Sequence, residues 1–308
     1  MSVAPEVFIG TSGYSFPDWV GPFYPRGTPS KEFLPYYAKQ FGCVEVNSTY
    51  YGIPAPRVLA QMAERTPDGF RFVVKVNQAM THAGNDDPAL HAKFRDAIQP
   101  LKDCGKYHGL LAQFPWAFRR DEASKARLER LREQFIGEPL WVEFRHASWM
   151  HPKLPDWLRE RDLGYCAVDE PALPGLLPPV THVTNGVGYV RFHGRNATHW
   201  WGPRGGGATG VASRGDGAAA AGGRSGAAAR APHDGGPGGP APPPHSKQQL
   251  RYDHDYTEAE LMQWVGRVNA LASQAKQTYL FFNNCHAGQA AKSAKLMEEL
   301  LRRQKSAL

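Results

Sequence analysis

Dinucleotide fingerprints, nucleophile elbows and zinc-type ligand spacings are all missing from this 308-residue chain. Its four cysteines, Cys43, Cys104, Cys166 and Cys285, are scattered without a CxxC pair, which excludes a disulfide framework or a structural zinc and points to buried, inert thiols. The GxGxxG match at Gly205–Gly210 lies in low-complexity sequence rather than in a strand-to-helix turn, so there is no nicotinamide or flavin signature. A GxSxG elbow is also absent; Gly10–Gly13 is shorter and leaves Ser12 as a hydrogen-bond donor rather than a nucleophile. There is no HExxH, no repeat at solenoid spacing and no apolar run near the ~18 residues of a membrane helix. The opening MSVAPEVFIG lacks a basic region followed by an apolar signal core, so a cytoplasmic location is expected. Lys plus Arg (36) exceed Asp plus Glu (29) for a net charge of +7, but no block of basic residues appears, and the imbalance favours anionic partners only weakly.

What the chain does have is eight short apolar runs that each close on polar side chains. They are 7–12, 43–47, 70–75, 109–113, 140–145, 165–169, 188–193 and 278–284. Helix-patterned stretches alternate with them at 33–41, 58–65, 89–104, 122–135, 155–161, 258–274 and 289–304. Alternation of this kind without strand hairpins predicts βαβ units and a parallel sheet. A strand buried on both faces needs a reason for polar residues at its carboxyl end, and in a (β/α)8 TIM barrel that end carries the active site. The expected fold is therefore an α/β TIM barrel in one domain spanning 1–308, with an open doubly wound sheet as the alternative. Between Asp169 and Gly188 the sequence is too proline-rich for a helix, which predicts an irregular sixth crossover.

Residues 205–245 are different material. Gly (13), Ala (11) and Pro (6) make up 30 of these 41 positions, and Val211 is the one large aliphatic residue. Such a stretch cannot bury enough apolar surface to offset its ordering entropy, so it is expected to be a disordered insertion after the seventh strand. Its bland explanation, a tolerated insertion, is favoured over a flap.

Barrel closure would aim the polar strand ends into one mouth. Glu45, Lys75, Glu143, Asp169 and His193 are the catalytic candidates. Carboxylates with differently perturbed pKa values suit general acid–base work, and Glu45, Glu143, Asp169 and His193 would be the ligands if a divalent metal is bound, which no local ligand pattern supports. Lys75 could bind an anion or, with its pKa depressed by burial, form a Schiff base. Arg145 and Arg191 carry guanidinium forks that fit phosphate or carboxylate. Ser12, Asn47, Gln113, Asn283 and Asn284 supply hydrogen bonds, Tyr14, Tyr50 and Trp116 a ligand wall, and Gly194 a backbone amide that could approach phosphate. Ion pairing inside the barrel is the competing explanation for the charged set.

Taken jointly, GTSGYSFPDW (10–19), EVNSTYYG (45–52), FRFVVKV (70–76), LLAQFPWAF (110–118), VEFRHASW (142–149), YVRFHGRN (189–196) and YLFFNN (279–284) resemble the YecE-like family, domain of unknown function 72. The resemblance spans nearly the whole chain and implies a TIM barrel with a pocket; it implies no particular chemistry. Two features depart from it: the Gly/Ala/Pro insertion, and Cys285–His286 after the asparagine pair.

Three functions follow. The first is an enzyme, of hydrolase, lyase or isomerase type, performing acid–base chemistry, with or without a metal, on a polar anionic small molecule such as a sugar phosphate or nucleotide. Glu143→Gln is then expected to abolish turnover and spare the fold. The second is a nucleic-acid-processing or nucleic-acid-binding protein using the loop aromatics. The third is a metabolite-binding module without turnover. Fold alone does not separate them.

Overall fold

In a computed structural model of the chain, residues 6–201 and 249–306 are described. Eight strands form a closed barrel in sequence order: β1 (Glu6–Ser12), β2 (Cys43–Val46), β3 (Arg71–Lys75), β4 (Tyr107–Gln113), β5 (Leu140–Glu143), β6 (Gly164–Asp169), β7 (Val187–Phe192) and β8 (Gln277–Phe282). Every pair is parallel, and β8 closes on β1 over six residue pairs from Glu6–Gln277 to Thr11–Phe282.

Helices cover the outside: α1 (Phe33–Ala38), α2 (Ser48–Tyr51), α3 (Pro56–Glu64), α4 (Gln78–Thr81), α5 (Pro88–Asp103), α6 (Glu122–Gln134), α7 (Leu154–Arg159), α8 (Glu258–Ser273) and α9 (Gln289–Ser306). Their starts follow local chemistry. Asp121 accepts the Ser124 N–H at 2.7 Å, and Thr257 with Glu260 forms a reciprocal capping box. The short helices α2 and α4 were not expected. They sit directly after β2 and β3, and Asn77 starts the second by accepting the Ala79 N–H. No helix occurs between Asp169 and Val187, in line with the proline-rich sequence there. The expected insertion at 205–245 lies outside the described residues.

Strand alternation fills the barrel with aromatic rings below and charges above. Trp141 packs against Tyr189 (ring centroids 4.9 Å apart) and Tyr279 (6.1 Å), and Tyr189 lies 5.4 Å from Phe281. Trp141 fits because two neighbouring strands carry glycine beside it. A Cβ on Gly109 would stand 2.4 Å from the indole and 2.8 Å from the Pro139 carbonyl, and one on Gly164 2.2 Å from the indole. Gly109 also has φ +129°, outside the region open to side chains. Gly109→Ala is accordingly expected to cost about 3 kcal/mol through overpacking and backbone strain, read as a lowered urea midpoint.

Candidate active site at the barrel mouth

Above the aromatic floor, Arg191 of β7 occupies the barrel axis, 1% exposed. Its Nη1 donates to Glu143 Oε2 at 2.6 Å, and its Nη2 to Glu45 Oε1 at 2.6 Å and Ser12 Oγ at 3.2 Å. The Tyr189 hydroxyl donates to the other Glu45 oxygen at 2.7 Å. Four strands thus meet in one buried network. Alternation explains it: Tyr189 and Arg191 are two residues apart and share the inner face, and His193 continues the same face beyond the strand.

Glu143 is the junction of this layer. Its Oε1 lies 2.5 Å from Arg145 Nε and 3.2 Å from His193 Nε2, in close contact but without a well-directed hydrogen bond. Burial alone would raise its pKa, yet Arg145, Arg191 and His193 hold the carboxyl well below its usual range. It is a permanent carboxylate near neutral pH. His193 is driven the other way, by burial and then by Arg145, and remains a neutral imidazole. Its Nδ1 faces Asn283 Nδ2 at 3.0 Å, so this nitrogen is the acceptor.

Lys75 differs from every other cation here. Its Nζ donates to Gln113 Oε1 at 2.8 Å and stands 4.2 Å from the centre of the Tyr50 ring, while among the described residues no carboxylate lies within 4.0 Å of it. Burial, then Arg191, lowers its pKa to about 7. Lys75 and Arg145 keep 8% and 7% of their surface open, so both reach the floor of the mouth from below. Behind Tyr50, the hydroxyl meets His82 Nε2 at 3.1 Å. Burial, then Lys75, lowers the His82 pKa to about 4.

The remaining expected residues divide between the mouth and the outer layer. Asp169 does not join Glu45 and Glu143. Its side chain points outward to the helices, where Arg195 grips both oxygens (2.8 to 3.1 Å), the Trp264 indole donates at 2.8 Å and the Tyr256 hydroxyl at 2.5 Å. On β6, Cys166 faces Glu143, and the same parity carries Glu170, not Asp169, to the inside. Glu170 Oε2 lies 3.5 Å from Arg145 Nη1 and its Oε1 accepts the Leu177 N–H at 2.9 Å; burial, offset in part by Arg145, raises its pKa to about 7. Asn284 likewise points outward, donating to the His254 carbonyl and to Ser293 of α9.

The Gly194 amide does not await a phosphate, because it donates to the Tyr256 hydroxyl at 3.0 Å. The Ala287 amide of the eighth loop is similarly taken by Asp18 at 2.7 Å. Tyr14 packs on Tyr37 with centroids 6.1 Å apart, and its carbonyl accepts from Tyr24. Asn47 follows β2 and its buried Oδ1 has no hydrogen-bond partner among the described residues. Trp116 is 37% exposed on the loop after β4, edge-on to His146 at 4.9 Å and to Trp201 at 5.4 Å.

The four residues suggested for a metal do not gather into a ligand set. Among the described residues no group of three or more His, Cys, Asp or Glu side chains converges in that way. Glu45 and Glu143 face guanidinium groups, and Asp169 is on the other side of the sheet. The expectation that Glu143→Gln would spare the fold also changes, since it would leave Arg145 and Arg191 short of charge.

Sequence reasoning missed Tyr189, Glu170, His82 and Tyr252. Period-two alternation from Arg191 finds Tyr189, and from Cys166 it finds Glu170. Tyr252, 6.2 Å from His193 ring to ring, comes from the segment after the insertion and has no such signal.

The model described as "Protein of unknown function DUF72" matches residues 8–308. UPF0759 protein YunF of Bacillus subtilis (strain 168) is 27% identical over 307 residues, covering 96% of this chain and 94% of its own. UPF0759 protein YecE of Escherichia coli (strain K12) is 38% identical over 76 residues, 25% of each chain. A DUF72 family protein from Thermotoga maritima MSB8 has a similar structure, with a TM-score of 0.76 and 34% identity over 96% of this chain and 99% of that one. A second, from Enterococcus faecalis V583, gives a TM-score of 0.75 at 24% identity over 96% and 95%, which bears on the fold alone. No helix among the described residues is long and apolar enough to cross a membrane. With its family model matched from the first strand to the last helix and its barrel shared with solved members, this chain belongs to the DUF72 family.

Proposed function

We propose that the mouth binds a small polar anion of the sugar-phosphate or nucleotide class and performs acid–base chemistry on it. The observation that carries this reading is Lys75: the contacts of this buried ammonium are an amide oxygen and a ring, Glu143 and Glu45 act on it only from beyond ion-pair distance, and an incoming anion would supply a direct partner. Arg145, also open at the floor, adds a second cationic contact. Lys75 and Glu170, with pKa values of about 7 from opposite directions, are the groups able to exchange protons near neutrality. Glu143 and Arg191 fix the charge pattern, and neutral His193, its Nδ1 taken by Asn283 and its Nε2 turned to Glu143, holds that pattern in place.

Calorimetry with inorganic phosphate and with a sugar phosphate tests the reading. Lys75 is charged below about pH 7 and neutral above it, so affinity should be higher at pH 6 than at pH 9 and should drop at least tenfold in Lys75→Met. Equal affinity at both pH values, or unchanged binding by the variant, contradicts it. Retention of a bound anion without conversion would point to a binding module.

A second reading has its own observation. Trp116 and Trp201 stand 37% and 38% exposed at the rim, with Arg119 5.2 Å from the Trp116 ring centre, an arrangement suited to stacking a base of single-stranded nucleic acid. Binding of oligonucleotides at low salt that falls steeply as salt is added would favour it; no binding removes it.

A further inference from the structure

Each arginine of the mouth has a carboxylate partner: Arg191 has Glu45 and Glu143, and Arg145 has Glu143 and Glu170. Lys75 has none within 4.0 Å among the described residues, and its one hydrogen bond goes to Gln113. An anion-binding role alone asks for a fixed charge, which arginine supplies better than lysine. A primary amine held dry, beside a ring, at the end of a barrel strand suits a different task. We propose that Lys75 forms a covalent imine with an aldehyde or ketone that also carries the anionic group. This inference rests on the anion-binding reading above and narrows its substrate class to oxo compounds bearing phosphate or carboxylate.

The chemistry balances without an oxidant or reductant. The free-amine nitrogen attacks the carbonyl carbon, a C–N bond forms, and the C=O pair moves to oxygen, which takes a proton. Loss of that hydroxyl as water consumes a second proton, and the nitrogen gives one up. The net change is amine plus carbonyl plus one proton to iminium plus water. The iminium then draws in the electron pair of a neighbouring C–H bond, whose proton passes to a carboxylate of the mouth such as Glu170, or of a C–C bond, whose β-hydroxyl gives up its proton to that carboxylate so that the fragment leaves as an aldehyde. The resulting enamine is reprotonated, and hydrolysis by one water restores Lys75. That sequence fits lyase or isomerase chemistry rather than hydrolysis. A pKa of about 7 leaves a large free-amine fraction at neutral pH, whereas ordinary lysines have almost none. The Tyr50 hydroxyl and His82 Nε2, 3.1 Å apart on the Lys75 side of the mouth, offer a hydrogen-bonded relay for the protons.

Reductive trapping tests the proposal. The intact protein is incubated at pH 7 with glyoxylate or glycolaldehyde phosphate, treated with sodium cyanoborohydride, which reduces iminium groups, and mapped by peptide mass spectrometry. Labelling at Lys75 should exceed that at any exposed lysine at least tenfold, and inorganic phosphate should suppress it. Labelling spread over exposed lysines without preference for Lys75 overturns the imine. Parallel calorimetry with inorganic phosphate separates the two levels. Lys75-dependent phosphate binding without Lys75 labelling overturns the imine and leaves the anion site standing; absence of both overturns both. Lys75→Met is the control for both arms.

Discussion

Replacing Arg191 with methionine is expected to remove about 3–5 kcal/mol of folding stability at pH 7, enough to leave a large fraction of the chain unfolded at moderate temperature. The side chain is 1% exposed, and its two Nη atoms each donate at 2.6 Å to a carboxylate with no exposed surface. Methionine fills much of the volume but leaves Glu45 with the Tyr189 hydroxyl alone and Glu143 with Arg145 as its main counter-ion. Uncompensated buried charge is what makes removal of one partner costly, whatever the net value of the intact network. The pH dependence has a definite sign. Glu143 has a folded-state pKa well below 4.5, so its contribution is present above about pH 4.5 and is lost as the pH falls through the folded value. The deficit of the variant should therefore be full at pH 7 and shrink on acidification. Urea unfolding at pH 7 and pH 4 reads both; an Arg191→Met protein as stable as the parent at pH 7 would mean that the network is solvated.

Lys75→Met should do the opposite to stability and still remove anion binding. The folded-state pKa is lowered from 10.5 to about 7, so between these values the unfolded chain binds more protons than the folded one and stability rises with pH. The cost of burying the ammonium is full below about pH 7 and relieved toward pH 10.5. Methionine at this position carries no such cost, so the variant should be more stable by about 2 kcal/mol or more at pH 6, with the gain narrowing at pH 10. A buried residue whose removal stabilises the fold is the pattern left by a functional requirement. If Lys75→Met proved less stable at pH 6, the lysine would be serving the fold.

Much of this arrangement is legible in the chain itself. Continuous apolar runs ending on polar side chains mark parallel strands and the end at which they open, and Glu45, Lys75, Glu143, Arg191 and His193 do meet there. Where two polar residues stand side by side, only one can face inward, and the run alone does not say which. Asp169 and Asn284 proved to be the outward members, with Glu170 and Asn283 inside. Parity counted from a residue known to face the interior, such as Cys166 or Phe281, settles both. The partners that hold Asp169, Tyr256 and Trp264, lie 87 and 95 residues away in sequence and leave no local trace. The same holds for the Gly194 amide, which looks free for a ligand until the Tyr256 hydroxyl is placed over it.

The central claim is that the mouth holds one lysine with no carboxylate in contact among the described residues, poised to change charge at neutral pH. Carbon NMR of protein labelled at lysine Cε, followed from pH 5 to 11, reads this directly. One resonance should titrate near pH 7 and vanish in Lys75→Met, with the others titrating near their ordinary ~10.4. A Lys75 resonance that titrates with the rest would contradict the account.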